Sequence, residues 1–182
     1  VTDAADADLR EIASFDVSDD NEYNSPKDYY AVINNCNFFI SKADTTVKDN
    51  RGNSFFLREY AAVKAVRAWT YLQLVINYGH VPFVTAPILS KEEADAQYPV
   101  KGIKEICDYF ISDLKPLADV ERPDLKTVGT VDSRFIYFPV NLLLGDLNLW
   151  AGHYDEAALA YYRYIAKANG SNSYYPIMNH GV

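Results

Sequence analysis

With 182 residues and 49% apolar content, the chain is long enough to enclose one hydrophobic core and has the composition of a globular protein. Its formal charge of -8 argues against nucleic acid and anionic membrane surfaces as partners, because there is no cationic surplus to displace counterions from phosphates. No run of eighteen or more apolar residues occurs, and the opening V-T-D-A-A-D-A-D has neither a charged n-region nor an apolar h-region, so no membrane span and no export signal is expected within it.

Residues 1–24 are acidic, with few apolar anchors beyond Leu9, Ile12 and Phe15, and are expected to form a loosely ordered lead-in. The stretch from Asp16 is not an EF-hand, since its sixth position is Asn21 where glycine is required and its twelfth is Lys27 where glutamate is required. Ser25-Pro26 is a helix opening, a hydroxyl to cap free amides followed by a residue that needs no N–H. A helix then extends to about Ala43, with Tyr29, Val32, Ile33, Cys36, Phe39, Ile40 and Ala43 on one face. Asn34, Asn35 and Asn37 are poor helix formers that either face solvent or make specific hydrogen bonds.

The segment 44–53 is a loop, with Asn53 or Ser54 capping the longest helix of the chain. This helix begins near Arg58. At about 100° per residue Ala61, Ala65, Ala68 and Leu72 form a line flanked by Trp69, Val75 and Ile76, while Tyr60, Tyr71 and Tyr78 form a second line beside Val63 and Leu74. Only Glu59, Thr70, Gln73 and Asn77 make a polar arc, so the helix is expected to be packed on two sides. Gly79 and Pro82 stop it. Within it Arg67 needs a partner for its charge, and Trp69 is assigned to the core.

From Val81 to Leu89 the two prolines predict an extended surface loop. Ser90, with Glu92 and Glu93 in the following turn, caps a short helix. Ile103, Ile106, Cys107, Phe110, Ile111, Leu114 and Leu117 make the stripe of another helix. A long connection over 119–133 leads to a helix that Pro139 opens and Gly152 ends, and a last helix starts at Tyr154. Across that pair, Leu144, Gly145, Gly152, Tyr154, Ala157 and Tyr161 stand where a tetratricopeptide repeat places them: small residues where the helices cross, a glycine at the turn and tyrosines to fill the groove. One such repeat leaves an outer face that needs a neighbour. Residues 171–182 show no periodicity and are assigned to the start of a further portion.

No motif of catalysis is present: no G-x-S-x-G, no phosphate-cradling or dinucleotide glycine loop, and His80, His153 and His180 lack metal-ligand spacing. Neither an enzyme activity nor a cofactor is expected. Cys36 and Cys107 read as buried thiols, with a disulfide left open. Aromatic rings in loops offer a weakly hydrated platform to the C–H face of a sugar, and Phe83, Tyr98, Tyr174 and Tyr175 are the candidates for that role.

Four stretches together resemble the SusD/RagB family of outer-membrane nutrient-binding lipoproteins: Tyr29-Tyr30-x-x-Ile33-Asn34-x-x-Asn37; Lys64-x-x-Arg67-Ala68-Trp69-x-Tyr71-Leu72-x-Leu74 leading into Tyr78-Gly79-x-Val81-Pro82-Phe83; Ile111-x-Asp113-Leu114; and the repeat from Leu144 to Tyr162. The resemblance covers roughly residues 29–164. His80 and Ala62 depart from the residues usual in the family, and the lipid-attachment cysteine is absent from this sequence. The resemblance implies an all-α fold of tetratricopeptide-like hairpins in a right-handed superhelix with long irregular loops, a helical domain over 25–170, and non-catalytic capture of oligosaccharide or polysaccharide at the outer-membrane surface. It implies delivery to a SusC-like TonB-dependent transporter, with membrane attachment only through a lipid anchor. The alternative is a tetratricopeptide-type scaffold that binds protein and no glycan.

Overall fold

A computed structural model describes residues 6–168, apart from 134 and 135. The chain is all-α, with small two-stranded ladders in its connections. The helices are α1 (Ala7–Ser14), α2 (Lys27–Lys42), α3 (Leu57–Tyr78), α4 (Lys91–Ala94), α5 (Ile103–Leu114, extended by a 3-10 turn Lys115–Leu117), α6 (Val140–Ala151) and α7 (Tyr154–Ala168). Strands β1 (His80–Pro82) and β2 (Val100–Gly102) pair antiparallel with Val81 opposite Lys101, and β3 (Thr127–Val128) pairs with β4 (Val131–Asp132).

Helix α3 is the element on which the others converge. It packs against α2 as a hairpin and also meets α5 and α6, while α6 pairs with α7. Its line of small residues, Ala61, Ala65 and Ala68, is fully buried together with Tyr71, Leu72, Leu74 and Val75. Small side chains let neighbouring helix axes approach closely, so an alanine line becomes buried by contact on more than one side. The expected stripe of α5 is also the observed one, with Ile106, Cys107, Phe110 and Leu114 inaccessible to solvent. Ser90 and Glu93 form a reciprocal capping box that starts α4.

In the α6–α7 pair, Gly152 ends α6 in the left-handed region at φ 84°. Gly145 lets the two helices cross closely, with the Tyr161 ring pressed against its backbone. Ala157 is buried at the same crossing.

Several details differ from the sequence expectation. The lead-in contains α1, capped by the Asp6 side chain and bridged to the following turn through Glu11, which accepts from Asn21 Nδ2 at 2.9 Å and from Ser18 Oγ at 2.8 Å. No side chain caps α3: Phe56 occupies that position, while the Ser54 hydroxyl donates to the Thr45 carbonyl at 2.7 Å. Residues 80–82 form a strand because β2 supplies their partners, His80 with Gly102, Val81 with Lys101 and Pro82 with Val100, contacts with no local signature. Val32 faces solvent, and its place in the buried face of α2 is taken by Asn37. Thr70, assigned to the polar arc, is buried and returns its hydroxyl proton to the Val66 carbonyl at 2.8 Å. Trp69 is 37% exposed; its ring stacks on Phe138 at 5.1 Å and thus covers the edge of the core instead of filling it. Tyr154 is 68% exposed, leaving the groove between α6 and α7 to Tyr161 alone of the two. Both cysteines are free and buried.

Candidate functional site

The loop that follows β1 is held by side chains from α2 and α3, all of which bind its backbone. Asn34 accepts from the Ile88 N–H at 2.7 Å and donates to the Ile88 carbonyl at 3.0 Å. Asn37 donates to the carbonyls of Val84 and Ala86, each at 3.1 Å. Tyr71 uses one hydroxyl twice, accepting from the Val84 N–H at 2.8 Å and donating to the Val84 carbonyl at 2.9 Å. Tyr30 donates to the Pro82 carbonyl at 2.8 Å. The helix-disfavoured asparagines therefore serve as hydrogen-bonding groups at 34 and 37, where an extended segment without a strand partner would otherwise leave its peptide groups unpaired. Asn35 faces solvent.

Arg67 supports this arrangement from below. It is 2% exposed, and its guanidinium donates to Asn37 Oδ1 at 2.8 Å, to the Thr85 carbonyl at 3.4 Å and to Asp113 Oδ2 at 3.1 Å. Lys64 holds the other oxygen of Asp113 at 2.5 Å. A buried cation needs a counter-charge and acceptors: Asp113 supplies the charge, and Asn37 and Thr85 supply further acceptors, so three different elements contribute, while Nε finds no partner among the described residues. The network orients Asn37, which in turn orients the loop. Burial raises the Tyr30 hydroxyl above its ordinary range and pushes Tyr71 up to about 12, so both remain protonated donors.

The proposed sugar-stacking residues fall in three different situations. Phe83 is 8% exposed and enclosed by Tyr71, Tyr109 and Phe110, with Lys101 Nζ lying 4.3 Å from its ring centroid. Its assignment as an exposed platform is therefore corrected: the pairing of β1 with β2 turns the ring inward onto α5. Tyr98 lies half-buried on the segment between α4 and β2, and its hydroxyl donates to the Glu93 carbonyl at 2.6 Å, tying the segment to the end of α4. Tyr174 and Tyr175 lie outside the described residues.

A second locus, in a stretch whose composition predicts only a loop, is the hairpin between α2 and α3. Phe55 N–H donates to the Val47 carbonyl at 3.0 Å, Asp49 N–H to the Asn53 carbonyl at 2.8 Å, and Gly52 N–H to the Asp49 carbonyl at 3.0 Å. Asp49 braces the turn from within, accepting from the backbone N–H groups of Arg51 and Asn53 at 2.8 Å each. These bonds, led by that from Asn53, hold its carboxyl below the usual range. Lys48, Asp49, Asn50, Arg51 and Phe55 line a concavity of about 270 Å³. Phe55 is 59% exposed, with Phe56 beside it at a ring-centroid distance of 6.4 Å. The signal for this feature was the turn chemistry of D-N-R-G-N between Val47 and Phe55. Among the described residues, no three His, Cys, Asp or Glu side chains are grouped to hold a metal ion.

No protein-family model and no curated protein sequence matches the chain. Among solved structures, a SusD-like carbohydrate-binding protein from Bacteroides fragilis superposes with a TM-score of 0.68 at 18% sequence identity. The match covers 90% of this chain and 31% of that one, so the chain spans about a third of the length of the protein it matches. Identity is low while the superposition takes in nearly the whole chain, which is the pattern of a shared fold. At the level of the fold, the chain is SusD-like.

Proposed function

We propose that the chain is part of a non-catalytic nutrient-binding protein that captures oligosaccharide or polysaccharide at the outer-membrane surface and passes it to a SusC-like TonB-dependent transporter. The observation that carries this reading is the fold shared with a SusD-like carbohydrate-binding protein. The clamped loop supports it. Its backbone is fixed by five side chains of the helical scaffold, and a ligand-contacting loop held in this way loses little conformational entropy on binding. Tyr98, Tyr174 and Tyr175 remain the aromatic residues proposed to meet sugar. Calorimetry and native-gel retardation of the whole protein against a panel of polysaccharides test the first half of the proposal, and co-purification with a large outer-membrane barrel tests the second.

A second reading, a protein-binding scaffold without glycan affinity, is favoured by the outer surface of α6 and α7. Leu149, Trp150, Leu159, Tyr162 and Ile165 are all exposed there, as on a repeat awaiting its neighbour. Retained transporter association with no binding to any polysaccharide selects this second reading.

A further inference from the structure

The α2–α3 hairpin places two cations beside an exposed aromatic ring on a chain whose overall charge is strongly negative. Four cations of the helical scaffold have carboxylate partners: Arg58 with Glu121 at 2.6 Å, Lys64 and Arg67 with Asp113, and Lys104 with Asp108 at 2.8 Å. Lys48 and Arg51 have no ion-pair partner among the described residues, and the carboxylate that lines the same concavity is committed elsewhere. Asp49 Oδ1 takes the two backbone N–H groups of Arg51 and Asn53, and Oδ2 takes Asn53 Nδ2 at 3.2 Å. The hairpin is thus braced by its own acid, and its bases are left to the solvent side.

We infer that this concavity is a binding subsite for an acidic sugar, a uronate unit of an oligosaccharide, with Lys48 and Arg51 on the carboxylate and Phe55 beneath the ring. The inference rests on the glycan-binding reading above and adds the ligand class and the residues. Each part of the site matches one part of such a ligand. The planar guanidinium of Arg51 presents paired N–H donors at the spacing of a carboxylate, and Lys48 adds a second charge. Phe55 offers a flat apolar face to the axial C–H groups of a pyranose, with Phe56 supporting its orientation. Asn50 supplies both a donor and an acceptor for ring hydroxyls. The concavity of about 270 Å³ lies just under the usual size of ligand clefts, which suits a single sugar ring and leaves the rest of an oligosaccharide on the surface. The cross-hairpin hydrogen bonds fix the backbone beforehand, so a ligand meets a formed site.

The test uses tetragalacturonate and its carboxyl-reduced neutral counterpart, titrated calorimetrically into the whole protein and into two variants, Lys48→Gln/Arg51→Gln and Phe55→Ala. All three side chains are exposed, and matching thermal transitions confirm that the variants are folded. Tetragalacturonate is expected to bind at least about tenfold more tightly than the reduced sugar, to lose roughly that factor in the double-cation variant and to weaken with added salt. Phe55→Ala is expected to weaken both sugars. Equal affinity for the acidic and reduced sugars, or full affinity of the double-cation variant for tetragalacturonate, overturns the inference and leaves the glycan-binding reading standing. Binding of neutral polysaccharides with none of tetragalacturonate has the same meaning. No binding of any sugar overturns both.

Discussion

The ring of Tyr161 occupies the space that a β-carbon on Gly145 would need: an added methyl group would fall well inside contact distance of its Cδ1, Cε1 and Cζ atoms. Helix α7 thus lies on α6 at a separation only glycine permits, and the Tyr161 hydroxyl locks the approach by donating to Asp146 Oδ1 at 2.6 Å. In an unhindered helix Gly→Ala stabilises by about 1 kcal/mol, whereas forcing atoms into a filled space costs about 1–3 kcal/mol or more. The second effect wins here because three ring atoms are in the way and the ring is tethered. Gly145→Ala is expected to destabilise by roughly 2 kcal/mol in urea denaturation and to become neutral or stabilising in a Tyr161→Ala background.

Arg67 carries the contact between α2, α3 and α5. Replacing it with methionine leaves Asp113 with Lys64 alone and removes the donor to Asn37 Oδ1. Breaking one side of such a buried pair costs about 3–5 kcal/mol. The double variant with Asp113→Asn is expected to be less destabilised than the sum of its single changes, measured as a coupling energy from equilibrium unfolding.

Tyr71→Phe keeps the ring among Phe83 and Phe110 but deletes the hydroxyl shared with Val84. The Val84 carbonyl retains Asn37, so the orphaned group is its N–H. The expected cost is about 1–3 kcal/mol, with faster hydrogen exchange at the Val84 amide than at amides within α3.

Alkaline pH acts on the same core. Burial raises Cys107 from an ordinary 9.0 to about 12 and Tyr71 from 10.0 to about 12; burial first, then the Asp146 hydrogen bond, raises Tyr161 to about 12. Above their ordinary values the unfolded chain releases these protons while the folded chain keeps them. Stability is therefore fully present below about pH 9 and falls as pH rises toward about 12. Urea midpoints measured from about pH 8 to about pH 11 are expected to hold level to about pH 9 and decline above it, and Tyr161→Phe is expected to reduce the slope of that decline.

Cys36 and Cys107 are both buried and unbridged, and burial raises both thiols. Thiol-specific reagents at neutral pH are expected to modify them only as fast as the protein opens, and the rate should rise in Gly145→Ala and Arg67→Met.

What could be read beforehand followed from how local each signal is. The α5 stripe, the Ser90 capping box and the Gly145–Tyr161 crossing are written within a few turns of chain, and each is found in place. The resemblance to SusD-like proteins rested on residues whose purpose only the packing explains: Asn34, Asn37, Arg67 and Tyr71 are the groups that grip the loop after β1. Phe83 lies in what reads as a loop, where a ring is expected to face solvent, yet the ladder that turns it inward joins segments far apart in sequence. Trp69 shares a helical line with core alanines, yet a ring so large reaches past the packed layer and ends half outside it. The hairpin concavity was hidden in a stretch whose polar composition announces only a turn.

The grip on the loop after β1 has one further consequence. Within residues 82–88, Asn34, Asn37, Arg67, Tyr30 and Tyr71 bind only peptide N–H and carbonyl groups, so apart from the buried Phe83 and Val84 the path of this segment is dictated by the helices and not by its own side chains. A scaffold of this kind separates the inheritance of shape from the inheritance of specificity. Exposed positions such as Thr85 and Leu89 can be exchanged wholesale, by drift or by a library, while the chain around them keeps its course.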